Sequence, residues 1–248
     1  EHDMSSKEFY RRIRAGETCT TNQINTATFL ELFAPILEGG EDIFYMAFSS
    51  GLSGTYNSAC MAAQELRARY PEREVVVVDT LAASMGEALL VYYAVQQKRA
   101  GLSIHELEKW VEDNRNHLAH WFTVDDLNHL KRGGRVSGTA AFFGTMLGIK
   151  PVLHVDDEGH LIPMEKVRGR RQSLDALVKH MSTTAKLENA KTVFISHGDC
   201  QEDAEYVADQ VREKFPGTKI YINMIGPVIG THSGPGTVAL FFMAENKY

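Results

Sequence analysis

The stretch "DIFYMAFSSGLSGTYNSACMAAQELRARYPEREVVVVDT", residues 42–80, decides the fold class. Short apolar runs lie at its two ends, 42–48 and 73–80, and a helix-forming segment, 54–70, lies between them. Apolar runs of this length without polar alternation are typical of buried strands in parallel sheets, which need a helical crossover. The stretch therefore predicts a βαβ unit, with a ligand site beyond the carboxyl ends of its strands.

The segments on either side of this unit extend the pattern. Helices are predicted at 84–99 and 103–118, which completes a parallel sheet covered by helices. The second half is predicted to contain strands at 120–124, 191–198, 218–225 and 237–245, helices at 125–134, 140–148, 171–186 and 201–215, and a hairpin at 150–169 that turns at Asp157, Glu158 and Gly159. The sequence therefore predicts an α/β protein of two domains, a parallel-sheet α/β/α domain at 1–118 and a mixed-sheet α/β domain at 119–248.

The composition disfavours several classes of protein. The 248 residues include 32 acidic and 26 basic side chains, a formal net charge of -6 that is spread without long runs of one sign, so a nucleic acid is not expected as a partner. Cys19, Cys60 and Cys200 form no CxxC pair and have no histidine at metal-ligand spacing, so neither a metal site nor a disulfide framework is predicted. No apolar stretch reaches the ~18 residues of a membrane-spanning helix, and we expect a cytoplasmic protein.

The turn "FSSGLSGTYNSA", residues 48–59, holds four serines, two glycines and a threonine where a strand ends and a helix begins. The first N–H groups of a helix lack partners and carry the positive end of its dipole, so Ser53 with the N–H groups of Gly54 and Thr55 would suit an anion. The alternative is that Ser53 only caps the helix and the glycines ease the turn. The stretch lacks the lysine of a P-loop and the outer glycine of G-x-S-x-G, which disfavours nucleotide binding and serine hydrolysis.

Three other stretches are small and polar in the same way, namely "CTTNQ" (19–23), "LKRGGRVSG" (130–138) and "GTHSGPGT" (230–237). The first offers hydroxyls and amides to a ligand, or is a loop that caps the next helix. The second sets three cations beside a helix end, where they would complement its dipole: Lys131, Arg132 and Arg135. The third places His232 among glycines that allow close approach to a ligand, although a lone histidine is usually structural. The histidines assigned to the surface or the core are His117, His120, His129, His154, His160, His180 and His197.

Seven motifs follow one another along the chain: "TTNQ", "SSGLSGTYNSA", "VVVVDT", "LKRGGRVS", "GIKPVLHVDDEGHL", "KVRGRRQSL" and "IGTHSGPGTVALFF". In this order they resemble the bacterial DegV family, and the resemblance covers nearly the whole chain. It implies two α/β domains with a fatty acid in a tunnel between them, and a role as the lipid-binding subunit of a fatty acid kinase. It also implies that Thr21, Ser53 and His232 hold the carboxylate, and the N–H of Gly54 in the predicted turn is expected to bind the same carboxylate.

The resemblance has further implications for the first sheet and for partners. Family members commonly have serine at the position of Asn22, and a strand with a Thr-Asp-Ser motif ahead of the region that begins here at Glu1, so that strand is expected to be missing from this chain. Arg135 and Arg168 are expected either to dock the kinase subunit or to lie near the carboxylate. The expected ligand is a long-chain fatty acid, without any cofactor, and transient contact with a membrane is compatible with such a ligand.

Four apolar side chains are expected to line the acyl chain, although they would equally suit an ordinary core: Phe142, Phe143, Met146 and Leu147. Two other functions remain open from the residues. Ser53 and His232 would serve as nucleophile and base in an acyl-ester hydrolase, and the same helix N-terminus would serve in a small-anion binding protein.

Overall fold

The computed structural model describes residues 4–136, 148–185, 191–245 and 247. The helices of these residues are α1 (Ser6–Arg14), α2 (Thr26–Glu38), α3 (Thr55–Arg69), α4 (Met85–Arg99), α5 (Ile104–Asn114), α6 (Asn128–Gly133), α7 (Arg170–Thr184), α8 (Gln201–Lys214) and α9 (Pro227–Ser233). The strands are β1 (Ile43–Ala47), β2 (Val75–Asp79), β3 (Leu118–Thr123), β4 (Ile149–Val155), β5 (Leu161–Arg168), β6 (Thr192–His197), β7 (Lys219–Met224) and β8 (Val238–Met243).

The strands form two sheets of different size. β1 and β2 pair in parallel, from Ile43 opposite Val75 to Ala47 opposite Asp79, and α3 connects them. The larger sheet has the strand order β5-β4-β3-β8-β6-β7 and is mixed, because β6 and β7 are parallel while its other described pairs are antiparallel. The predicted fold class, a parallel sheet followed by a mixed sheet, is confirmed.

The larger sheet is covered on both faces. On one face α7 and α8 pack over a core that includes Leu177 and Leu240. On the other face α4 packs over a second core, in which Leu89 of the helix joins Phe241 of β8. This second core contains residues from both sides of position 118, because α4 comes from the first half of the chain and the sheet from the second. The division into domains at that residue stays a prediction.

Two helices differ in extent from the prediction. The helix predicted at 103–118 ends at Asn114, and a 3-10 turn, Arg115–His117, leads into β3. β3 is buried at every residue and pairs with β8 over its whole length, and this long-range pairing overrides the local preference for helix. α6 begins at Asn128 instead of residue 125, because the carboxylate of Asp126 accepts a hydrogen bond from the N–H of Asn128 in a turn that precedes the helix.

His232 lies in a helix, although its stretch reads as a glycine-rich loop. α9 starts with Pro227 at its first position, and His232 is in its last turn. Gly230 allows the helix to approach α1, because an added Cβ there would lie 2.7 Å from the hydroxyl of Tyr10. Gly234 follows the helix with a φ of 77°, which ends it.

Among the described residues, every helix is too short or too polar to cross a lipid bilayer. No group of three or more histidine, cysteine or acidic side chains in the described ranges is arranged to hold a metal ion.

Candidate functional site

A cavity of about 430 Å³ lies between the small sheet and the larger sheet. Its walls are mostly apolar, with Tyr45 and Phe48 on the side of β1 and Phe122, Val155 and Phe241 on the strands of the larger sheet. Cavities of this size with apolar walls and few polar groups are typical of sites for small organic ligands. The four residues predicted to line an acyl chain, Phe142, Phe143, Met146 and Leu147, lie outside the described residues.

Thr21 and His232 meet at the polar end of this cavity. The hydroxyl oxygen of Thr21 lies 2.7 Å from Nε2 of His232, and both residues line the cavity. Nδ1 of His232 is buried and has no hydrogen-bond partner among the described residues. Burial and then the charge of Arg135 lower the pKa of His232, so the imidazole is neutral at pH 7. A carboxylate placed beside this imidazole would favour its protonated form.

Ser53 lies on the wall of the same cavity, in the turn between β1 and α3. Its Oγ accepts a hydrogen bond from the N–H of Thr55 at 3.2 Å and lies 2.9 Å from the hydroxyl of Thr55. The N-cap residue of α3 is Gly54. The alternative prediction, in which Ser53 is the N-cap, places the cap one residue too early. Ser53 therefore satisfies one N–H of the helix and still presents its hydroxyl to the cavity.

Gly54 is not among the residues that line the cavity, and the binding of an anion by its N–H group stays a prediction. The side-chain amide of Gln23 covers it, and a Cβ at Gly54 would overlap this amide. Gln23 also donates a hydrogen bond to the hydroxyl of Ser58 in α3, at 3.3 Å. Gln23 lines the cavity in place of Gly54, and the glycine serves to let that side chain approach the helix.

Another serine of the turn has a structural role. Ser49 is fully buried, donates a hydrogen bond to the carbonyl of Gly159 at 2.8 Å, and accepts one from the N–H of Gly51 at 3.2 Å. It ties the turn to the hairpin of β4 and β5. The hydroxyls of this turn therefore divide between support of the backbone and the cavity wall.

The two arginines predicted for the site lie in different places. Arg135 lines the cavity, where its Nε donates to the carbonyl of Leu52 at 3.3 Å and its guanidinium also donates to the carbonyl of Gly133. Arg168 is exposed at the end of β5 and does not line the cavity. Arg135 therefore lines the cavity and Arg168 does not, and the predicted roles of the two arginines, near the carboxylate or in docking the kinase, stay predictions.

The geometry does not favour a hydrolase. A serine nucleophile needs a base within hydrogen-bond reach. In the described part of the chain, His232 is bonded to Thr21 and Ser53 to Thr55, with no hydrogen bond between Ser53 and His232. The arrangement suits the binding of an anion better than the activation of a hydroxyl.

Three polar residues of the cavity wall were missed by the sequence reasoning: Ser84, His120 and Ser196. The hydroxyls of Ser84 and Ser196 lie 3.0 Å apart, and His120, assigned above to the surface or the core, is buried in the wall. Isolated serines and a lone histidine in apolar segments carry no motif. The only available signal was a serine at position 196 in the apolar strand "TVFISH".

A second cavity of about 370 Å³ adjoins the first and shares Thr21, Arg135 and His232 with it. Its other walls are mainly polar and include Thr18, Thr20, His129 and Arg132. Thr21 and His232 therefore stand between an apolar space and a polar one.

The family model described as "Uncharacterised protein, DegV family COG1307" matches residues 1–245. The chain belongs to the DegV family. A DegV domain-containing protein of Clostridium perfringens is 48% identical over 247 residues, which are 100% of this chain and 85% of that protein.

Solved structures of DegV proteins share the fold. A structure of a DegV lipid binding protein from Thermotoga maritima is 30% identical with a TM-score of 0.82, and the match covers 98% of this chain and 83% of that one. A DegV family protein from Thermus thermophilus, whose structure is described as fatty acid binding, is 29% identical with a TM-score of 0.86, over 97% of this chain and 85% of that one.

Proposed function

We propose that this DegV-family chain binds a long-chain fatty acid. The observation that carries the proposal is the cavity of about 430 Å³, whose apolar walls end at the hydrogen-bonded pair of Thr21 and His232. Each buried methylene of an alkyl chain contributes about 0.8 kcal/mol, so apolar walls favour a long chain. The relatives described as lipid binding and fatty acid binding support this proposal.

In this proposal Thr21, Ser53 and His232 hold the carboxylate and Arg135 balances its charge. A carboxylate in apolar surroundings is destabilised unless it is hydrogen-bonded and paired with positive charge. Hydroxyl and imidazole donors supply the hydrogen bonds. Arg135 lines the same cavity as His232, so its guanidinium would lie near the same carboxylate.

The test is to identify any lipid that copurifies with the protein by mass spectrometry, and then to compare fatty-acid affinities of two serine variants of one turn. Ser53→Ala removes a charge-assisted hydrogen bond worth about 1.5 to 3 kcal/mol, so affinity is expected to fall about ten-fold or more. Ser50→Ala is the matched control, because Ser50 is exposed and does not line the cavity. Equal affinities of the two variants would contradict the proposed head-group site. A protein that binds small anions but no lipid would favour the alternative function.

We further propose that a separate fatty acid kinase phosphorylates the carboxylate while the acyl chain stays buried. The polar cavity supports this proposal, because it meets the apolar cavity at Thr21 and His232 and offers a charged approach to the carboxylate. The test is formation of acyl phosphate from the lipid-loaded protein, ATP and a purified fatty acid kinase. Arg168→Glu is expected to slow this reaction and leave lipid affinity intact, since Arg168 is exposed. If the kinase phosphorylates the lipid bound to Arg168→Glu at an unchanged rate, Arg168 is excluded as a docking residue.

A further inference from the structure

Two further serines, Ser84 and Ser196, interrupt the apolar wall of the cavity. Ser84 precedes α4 and Ser196 lies on β6, and their hydroxyl oxygens are 3.0 Å apart. Ser196 is 1% exposed, and its partner across the sheet is Ala239, which also lines the cavity. The pair therefore lines the cavity from two elements, the turn before α4 and the strand β6.

Ser84 has an unusual backbone conformation for a residue with a side chain. Its φ is 57° and its ψ is -141°, a region that favours glycine. It is the N-cap residue of α4, but its side chain makes no cap hydrogen bond and reaches Ser196 instead. Serine at this position ordinarily bonds to the first N–H groups of the helix. Strained residues of this kind persist where the surrounding structure fixes them, and they concentrate at ligand sites.

His120 fixes the segment that carries Ser84. Its Nε2 accepts a hydrogen bond from the N–H of Ala83 at 3.4 Å, and its Nδ1 donates to the carbonyl of Leu118 at 3.2 Å. Gly86 leaves room for the imidazole, because an added Cβ would overlap the ring. Burial lowers the pKa of His120 well below its usual value, so the ring stays neutral and keeps both bonds. His120 is thus a positioning residue for Ser84.

The serine pair retains hydrogen-bonding capacity. Each hydroxyl has one donor and two acceptor lone pairs, so two hydroxyls that share one hydrogen bond keep one O–H donor between them. In the described part of the chain neither hydroxyl has another partner. A plain hydrocarbon chain would leave this donor unsatisfied in apolar surroundings, whereas a ligand hydroxyl would accept from it and donate in return.

We propose that Ser84 and Ser196 form a second recognition site within the cavity, and that its ligand is a fatty acid carrying a hydroxyl group on the acyl chain. This inference rests on the proposed binding of fatty acids. Ser84 and Ser196 lie on other elements than Thr21, Ser53 and His232, so the recognised hydroxyl is a substituent of the acyl chain and not part of the carboxyl group.

The experiment compares stearic acid with a series of hydroxystearic acids in which the hydroxyl is on successive carbons. The native protein is expected to bind at least one of the hydroxylated isomers as tightly as stearic acid or more tightly. Ser196→Ala and Ser84→Ala are expected to lower the affinity for that isomer about ten-fold and to leave the affinity for stearic acid within about two-fold of the native value. Ser50→Ala is the control for an exposed serine outside the cavity.

The outcomes separate this inference from the proposed function. If the native protein binds none of the hydroxylated isomers, the second site is overturned. It is also overturned if the serine variants lose the same affinity for stearic acid as for the hydroxystearic acids. Either result would leave fatty-acid binding in place. Failure of the native protein to bind any of the acids would overturn both. Binding of stearic acid by the variants also reports that they are folded.

Discussion

The two turns that lead from the small sheet into its helices differ in what their sequences reveal. The first turn, residues 48–54, follows β1, and the second turn, residues 80–84, follows β2. The first turn is rich in serine and glycine, yet none of its residues has a positive φ. The second turn contains no glycine, yet Leu81 and Ser84 have φ angles of 52° and 57°. The serine- and glycine-rich first turn therefore has no residue with a positive φ, and the second turn, without glycine, has two.

The comparison shows that glycine in the first turn serves close packing instead of backbone conformation. A Cβ at Gly51 would lie 2.9 Å from the carbonyl oxygen of Glu158, and one at Gly54 would overlap the amide of Gln23. In the second turn, contacts with other elements hold the strained residues in place. The carboxylate of Asp79 accepts from the N–H of Leu81 at 3.0 Å, in addition to the contact of His120 with this turn.

The largest expected effect comes from Gly159, which touches both turns. Gly159, in the hairpin of β4 and β5, has a φ of 81°; its added Cβ would overlap the hydroxyl of Ser49 in the first turn and lie 3.2 Å from Cα of Leu81 in the second. Gly159→Ala is expected to lower the free energy of unfolding by about 3 kcal/mol, because strain and overpacking act together. Urea unfolding at equilibrium measures this change.

Gly217→Ala is the matched control for that measurement. Gly217 has a similar φ of 88°, but an added Cβ would have no heavy atom within 4 Å. Only the conformational term remains, so the expected loss is about 1 kcal/mol. Similar losses of unfolding free energy in the two variants would show that close packing of the hairpin against the two turns does not contribute to stability.

The next effect concerns Arg135, whose side chain is hydrogen-bonded to the first turn. Arg135 is anchored to the carbonyl of Leu52 in the first turn, at 3.3 Å. Arg135→Gln is expected to weaken fatty-acid binding about ten-fold or more, because a hydrogen bond to a charged group is worth about 1.5 to 3 kcal/mol. Arg168→Gln, at an exposed position, should leave affinity within about two-fold. Titration calorimetry distinguishes the two, and a loss of affinity in Arg168→Gln alone would reverse the assignment.

A pH profile tests the imidazole at the head-group end. Burial and Arg135 lower the pKa of His232 in the protein without ligand, and a bound carboxylate would raise it. Binding then takes up a proton between these two pKa values, so affinity falls as pH rises through that window, by up to about ten-fold per pH unit. Above the pKa of the complex the affinity becomes constant.

His232→Gln should abolish most of this pH dependence. His129→Gln is the control, because burial also lowers the pKa of His129, which lines only the polar cavity. A profile that is flat in the native protein, or that is lost in His129→Gln, would contradict direct contact between His232 and the carboxylate.

Local patterns predicted the elements that depend on neighbouring residues. The apolar runs at 42–48 and 73–80 became β1 and β2, and the Asp-Glu-Gly turn predicted the hairpin of β4 and β5. The helical state of His232 was not predicted in this way, because glycine weakens the local helix signal and the close packing of Gly230 against Tyr10 of α1 is a contact between distant segments. Such contacts between distant segments leave no local pattern.

The same limit applies to the candidate site. Thr21 and His232 lie in recognisable motifs, the resemblance to DegV proteins implies a shared carboxylate for them, and their side chains are in contact. Ser84 and Ser196 carry none, so only the folded chain brings them together. Residues that act through a long-range pair without a motif are those that sequence reasoning misses.

The smallest expected effect is also the most direct test of strain in the second turn. Alanine and glycine at position 84 both remove the hydroxyl, so the lost contact with Ser196 cancels when the two variants are compared. Because φ is 57° there, Ser84→Gly is expected to be more stable than Ser84→Ala by about 1 kcal/mol. At Ser50, where φ is not positive, the order should reverse, with alanine more stable than glycine by about 0.4 to 1 kcal/mol. Thermal unfolding of the four variants measures both differences. The same sign at both positions would mean that the two turns do not differ in strain.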